Sequence, residues 1–257
     1  MPANPFVWYE LMTTDTAAAT AFYQAVLGWS ARDSGAGEVD YTVLGVGDRP
    51  LGGLMQLPAE AAARGARPGW LGYIGCDDVD AAVARLAEAG GKVHRPAWSI
   101  PGVGRLAVVA DPQGAAFVLF RGESAEAPPA PEAGSPGSVG WHELQAVERE
   151  SAFAFYSAQF GWTADTAVDM GPLGTYQIFA IDDKPAGGVM NKLPALPVPF
   201  WIYYFCVADI DAAIARVNAA QGSIVNGPNP VPGGSWIAHG IDPQGALFAL
   251  VGMRSAN

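Results

Sequence analysis

The chain has 257 residues, enough for one large domain or two ordinary ones, and half are hydrophobic against 15% charged, which suits a buried core. Its 25 Asp and Glu outnumber 14 Lys and Arg, giving a formal net charge of −11 that repels phosphate backbones and anionic lipid. Nucleic acid and membrane partners are not expected on that ground, and a small-molecule ligand is the expected partner.

In chain order, the N-terminal MPANPFVWYELM lacks a basic stretch followed by an apolar one, and no apolar run reaches about 18 residues, so neither a signal peptide nor a transmembrane helix is expected. FVWYELMT alternates and is rich in aromatics, which predicts a strand. Asp15 caps a helix whose apolar face carries Ala18, Phe22, Ala25 and Val26, and Gly28 closes it. YTVLGV, a turn at Gly47-Asp48-Arg49-Pro50, and LGGLMQL read as paired strands. GWLGYIGC is a strand. Asp78 then caps a helix carrying Val79, Val83 and Leu86, ended by Gly90-Gly91. GKVHRPAW, GRLAVVA and AAFVLF are strands, the last two joined by the turn Asp111-Pro112-Gln113-Gly114. The first 121 residues thus hold two βαβββ-like modules. Cys76 and Cys206 are the only cysteines, each in an apolar strand-like run, and are expected reduced and buried in a cytoplasmic protein.

The pattern then repeats. WYELMTTDTAAATAFYQAVLGW, from Trp8 to Trp29, is answered by WHELQAVERESAFAFYSAQFGW, from Trp141 to Trp162, at an offset of 133 (141 − 8). YTVLGVGDRPLGGLM is answered by YQIFAIDDKPAGGVM, DDVDAAVARL by ADIDAAIARV, and DPQGAAFVL by DPQGALFAL. A repeat this long marks a duplicated domain. The expected domains are residues 1–122 and 140–257, with a Pro/Ala/Gly-rich linker over 123–139 that can bury almost nothing.

Asp15, Phe22-Tyr23, Leu27-Gly28, Asp78 and Asp111-Pro112-x-Gly114, with their second-copy partners, resemble the vicinal-oxygen-chelate superfamily of glyoxalase I, bleomycin-resistance proteins and extradiol dioxygenases. The chain looks like its tandem two-domain bacterial members. The resemblance implies an α+β fold of tandem glyoxalase-like domains, each made of two βαβββ modules forming a curved half-open barrel around a cleft. In the family's enzymes four His or Glu side chains there hold a divalent metal. Counted against that pattern, the ligand positions fall at Trp8, Leu71, Val118 and the neighbourhood of Gly53, and in the second copy at Trp141, Ile202, Ala249 and the neighbourhood of Gly188. None of these side chains ligates a dication, so no cofactor is expected, the alternative being a divalent metal at a non-standard site.

Glu10 and Glu143 lie two along from Trp8 and Trp141 and share their strand face, which by the family geometry looks into the cleft. A carboxylate beside an indole in an apolar cavity suits a general base; it equally suits a buried acceptor of backbone bonds. Tyr73 and Tyr204 hold the corresponding positions of the second modules, as ligand donors or as packing. His142 falls on the opposite face. His239, where the first copy has Val108, is a catalytic candidate confined to the second copy, and Arg105, replaced there by Trp236, is a candidate for an anionic ligand in the first. Gly52-Gly53 and Gly187-Gly188 lack any phosphate-loop spacing and predict a bulge or a close approach of chains. Three functions stay open: a binding protein of bleomycin-resistance type with aromatic-lined clefts and no metal, a lyase- or dioxygenase-like enzyme acting on a small carbonyl or aromatic compound, and an oligomerising module. A homodimer is left open.

Overall fold

The computed structural model describes residues 3–35, 40–124, 132 and 134–255. Of the expected linker, 125–131 and 133 lie outside the described residues.

Strand β1 (Phe6–Thr13) leads into α1 (Thr16–Leu27), which starts because Asp15 is extended and its carboxylate accepts the Ala18 N–H at 2.9 Å. It ends because Gly28 takes φ 71°, a left-handed turn open to glycine without steric cost. β2 (Ser30–Asp33), β3 (Tyr41–Val46), β4 (Arg49–Gln56) and a short α2 (Ala59–Ala63) follow, then β5 (Gly69–Gly75), α3 (Val79–Glu88), β6 (Lys92–Ile100), β7 (Gly104–Ala110) and β8 (Ala116–Gly122). The second half repeats the order: β9 (Val139–Ala146), α4 (Arg149–Phe160), β10 (Thr163–Asp169), β11 (Thr175–Ile181), β12 (Lys184–Asn191), β13 (Phe200–Val207), α5 (Ile210–Ala219), β14 (Ser223–Pro230), β15 (Trp236–Ile241) and β16 (Leu247–Gly252). In α4 the cap is Glu148, whose longer carboxylate accepts the N–H groups of Glu150 at 2.9 Å and Ser151 at 2.7 Å.

Hydrogen bonding builds two eight-stranded sheets, ordered β2-β3-β4-β1-β5-β8-β7-β6 and β10-β11-β12-β9-β13-β16-β15-β14, and neither closes on itself. The α+β expectation therefore holds, with one sheet per sequence repeat. β1 runs parallel to β4 with Glu10 opposite Gly53, and β9 parallel to β12 with Glu143 opposite Gly188. No helix among the described residues is long and apolar enough to cross a membrane.

By compactness the chain divides differently, and each unit takes one module from each half. One unit is Met1–Val7, Leu71–Ala127 and Trp141–Ile202; the other is Trp8–Trp70, Pro128–Gly140 and Tyr203–Asn257. Inside the first, Oδ1 of Asp111 accepts the N–H groups of Gln113, Gly114 and Ala115 at 2.7–2.9 Å, which shapes the Asp-Pro-Gln-Gly turn. Its Oδ2 accepts from the Tyr156 hydroxyl at 3.2 Å, and the Tyr156 hydroxyl oxygen in turn accepts the Trp201 indole N–H at 3.0 Å. Inside the second, Asp242, Tyr23 and Trp70 repeat the chain at 3.1 and 2.9 Å. Burial pushes both carboxyls up, and the donated bonds oppose it. The Phe-Tyr and Asp-Pro-x-Gly motifs thus fasten a helix of one repeat to a turn of the other. Aromatic rings fill the space around them: Trp29, Trp70, Phe205 and Phe248 around Tyr23, and Phe117, Phe160, Trp162 and Trp201 around Tyr156.

Both cysteines are free thiols. Cys206 is buried as expected, but Cys76, just past the end of β5, is only half-buried.

Candidate functional site

On β1 the side chains of Trp8, Glu10 and Met12 share one face by strand alternation. The Trp8 indole N–H donates to the Tyr41 hydroxyl oxygen at 2.9 Å, and Tyr41 donates onward to the Glu10 carboxylate. The direction is fixed by chemistry: an indole nitrogen only donates, so the phenol must accept from it and send its own proton to the carboxylate. The second repeat builds the same group. Trp141 donates to Tyr176 at 2.7 Å, and Tyr176 donates to Oε2 of Glu143 at 3.2 Å. Glu10 and Glu143 are 5% and 6% exposed, so each carboxylate sits behind half-buried aromatic rings with its desolvation offset by charge-assisted bonds. Burial, then the adjacent carboxylate, pushes the hydroxyls of Tyr41 and Tyr176 well up, so both phenols keep their protons.

The second glycine of each pair makes this group possible. Gly53 pairs with Val43 on β3, two residues from Tyr41, and a Cβ there would overlap the Tyr41 hydroxyl and ring. A Cβ at Gly188 would overlap the Tyr176 ring in the same way. The first glycines, Gly52 and Gly187, allow close approach of the Tyr9 and His142 carbonyls on the neighbouring strands. The expected close approach of chains is met, and an aromatic ring laid over a glycine comes with it.

One difference separates the copies. Gln145 is buried, and its side-chain amide donates to Oε1 of Glu143 at 2.7 Å. The same position in the first copy is the half-buried Met12.

Tyr73 and Tyr204 are both buried but differ in company. Tyr73 aligns with Val118 and Val108 across the sheet and meets Phe120 edge-on, with ring centroids 5.8 Å apart. Tyr204 aligns with Ala249 and His239, and its hydroxyl lies 2.8 Å from His239 Nε2. Asn229 donates to the Asn226 carbonyl at 3.1 Å, which turns the Asn226 amide N–H toward His239 Nδ1 at 3.2 Å. The ring proton then belongs on Nε2, donated to Tyr204. Arg105 forks onto both oxygens of Asp80 in α3 at 2.6 Å, so its cation is already neutralised there rather than held out for an anionic ligand. His142 is buried on the opposite strand face from Glu143, stacked on Phe6 at 4.2 Å with Nδ1–H donating to the Ala186 carbonyl, and burial pulls it down to about 4.

Sequence reasoning missed Tyr41, Tyr176, Gln145 and Asn226. The two tyrosines had left a signal, each standing twelve residues before its glycine (53 − 41 and 188 − 176). The positions counted from the sequence against the family's metal pattern carry indole, aliphatic or no side chains, none of which ligates a dication. Among the described residues no group of three or more His, Cys, Asp or Glu is placed to hold one.

The family model described as Glyoxalase/Bleomycin resistance protein/Dioxygenase superfamily matches residues 6–119 and again 139–250. The chain belongs to that superfamily. Among its relatives, the protein named "Putative glyoxylase CFP32" of Mycobacterium tuberculosis is 33% identical over 248 residues, covering 95% of this chain and 93% of the relative. The anthracycline biosynthesis protein DnrV of Streptomyces peucetius is 34% identical over 268 residues, covering 98% and 94%. In fold, this superfamily member is similar to the Mn(II)-bound glyoxalase from Novosphingobium aromaticivorans, with a TM-score of 0.65 at 16% identity over 98% of this chain and 82% of that one. It is also similar to a variant of homoprotocatechuate 2,3-dioxygenase from B.fuscum, with a TM-score of 0.67 at 17% identity over 99% and 73%.

Proposed function

We propose that this superfamily member binds a small, partly apolar, oxygen-bearing ligand at its Trp–Tyr–Glu groups without the four-ligand metal site of the family's enzymes. The observation that carries the reading is the construction of the same hydrogen-bonded group twice, each time over a glycine where a Cβ would overlap the tyrosine ring. Two half-buried rings offer an apolar wall, and the carboxylate behind them offers an acceptor for a ligand hydroxyl. The relatives support a ligand of this kind, one being named for glyoxylase activity and another for anthracycline biosynthesis. The test is a titration with dihydroxyanthraquinone, an aromatic with hydroxyls, followed through the indole N–H resonances of Trp8 and Trp141. Saturable shifts that Gly53→Ala and Gly188→Ala remove are expected; an unmoved spectrum overturns the reading.

A second reading, an acid–base enzyme acting on a small carbonyl or aromatic compound, is favoured by one observation: the Asn229–Asn226–His239–Tyr204 chain couples a titratable imidazole to a buried phenol, and only in the second copy. Loss of turnover in Tyr204→Phe with folding intact would establish it.

A further inference from the structure

The two compact units bring matching elements together and finish the junction differently. In the second unit Gly222 stands just beyond α5, where a Cβ would meet the Phe22 ring of α1 at 2.7 Å and Val217 at 3.0 Å. The ring thus lies on the glycine, and Arg216 of α5 donates to the Val26 carbonyl of α1 at 3.0 Å. Phe22 is 2% exposed. In the first unit the matching glycine is Gly91, and a Cβ there would run into Leu86, which stands where the second unit has Val217. The longer leucine takes the place on the glycine, and Phe155, the counterpart of Phe22, stays 8% exposed. A cavity of about 300 Å³ opens beside it, walled by Ala89 and Pro112 and by Ala152, Phe155, Ala158 and Gln159 of α4. Gln113 and Ser151 complete the lining, their polar atoms already bonded to each other and to the backbone at the start of α4. No side chain of this lining is charged.

We propose that this cavity is a second ligand site, one that takes an uncharged single aromatic ring. The occupant is read from the other unit, where the same junction takes a phenyl ring of the chain itself. Walls of alanine, proline and phenylalanine reject an ion, whose desolvation nothing there would offset. The volume is at the small end of ligand cavities, about 300–1,000 Å³, which suits one ring rather than several. None of the lining residues belongs to a Trp–Tyr–Glu group, so the site is independent of the binding reading above.

The test uses the full chain with isotope-labelled alanine methyl groups, titrated with benzyl alcohol and with benzoate as the charged counterpart. Benzyl alcohol should give saturable shifts of the Ala89, Ala152 and Ala158 methyls, and benzoate should bind weaker by about tenfold or more. Ala158→Leu, at an exposed position, fills the cavity from its wall. Leu86→Val lets Phe155 settle on Gly91 as Phe22 does on Gly222. Each should weaken benzyl alcohol by about tenfold or more while keeping native circular dichroism. Ala158→Leu keeps the test decisive should Leu86→Val fail to fold. Unmoved alanine methyls in the natural protein, equal binding of benzoate, or an affinity unchanged in either folded variant overturns the proposal. Shifts confined to the Trp8 and Trp141 indoles would seat the ring at the Trp–Tyr–Glu groups and overturn it too, while leaving the binding reading intact.

Discussion

At the scale of single residues, the Trp–Tyr–Glu groups convert a glycine into a requirement. Gly53→Ala would drive a methyl into the Tyr41 ring and break the bonds to Trp8 and Glu10, so a cost of about 1–3 kcal/mol is expected, read by urea denaturation, with Gly188→Ala behaving alike. Glu143→Gln keeps one carbonyl acceptor for two donors and turns an N–H toward Tyr176 or Gln145, for a loss on the order of 1–3 kcal/mol, read by the same denaturation. His142 supplies a pH signature. Its folded value of about 4 lies below the ordinary 6.5, so the unfolded chain takes up the proton first. Its contribution is complete above pH 6.5 and is lost as pH falls toward 4, about 3 kcal/mol in all. In His142→Phe that part of the slope should vanish, and a denaturation series across the window reads it.

At the scale of elements, α1 and α4 are held by their tyrosines to turns in the opposite repeat. Tyr23→Phe leaves Asp242 without its phenolic donor and the Trp70 indole without its acceptor, so a loss of about 1.5–3 kcal/mol is expected, visible as a lowered unfolding midpoint. What the sequence made legible follows the range of the interaction. Asp15, Asp78, Gly28 and the Asp111 turn are local devices, each bonding within four residues, and reading them needs no knowledge of the fold. Trp8 and Glu10 were legible as sharing a face because strand alternation is also local. Tyr41 joins them across 33 residues, and only the β3–β4 and β1–β4 registers bring it there. Arg105 looked available for an anion because Asp80, 25 residues away on α3, meets it only once β7 lies beside that helix. The offset of the repeat likewise says which modules are copies, and nothing about which modules share a core.

At the scale of the whole molecule, each compact unit draws on both repeats, so cutting the chain within 125–131 should not release two independent domains. In one unit, Tyr23 and the Val26 carbonyl are bonded to Asp242 and Arg216; in the other, Gln113 bonds to the Glu148 carbonyl and the Ser151 hydroxyl. The nicked protein should elute as one species at its original size and separate only in denaturant; two stable, separately migrating fragments would contradict it. The Tyr23–Asp242 bond spans 219 residues, and this distance has a meaning during synthesis. At roughly 5–20 residues per second, α1 has left the ribosome for about 10–45 s before its anchoring carboxylate is made. Through that interval Phe22, Tyr23 and Trp29 lack the second-repeat rings that complete their burial, so a protein truncated before Asp242 should leave them exposed.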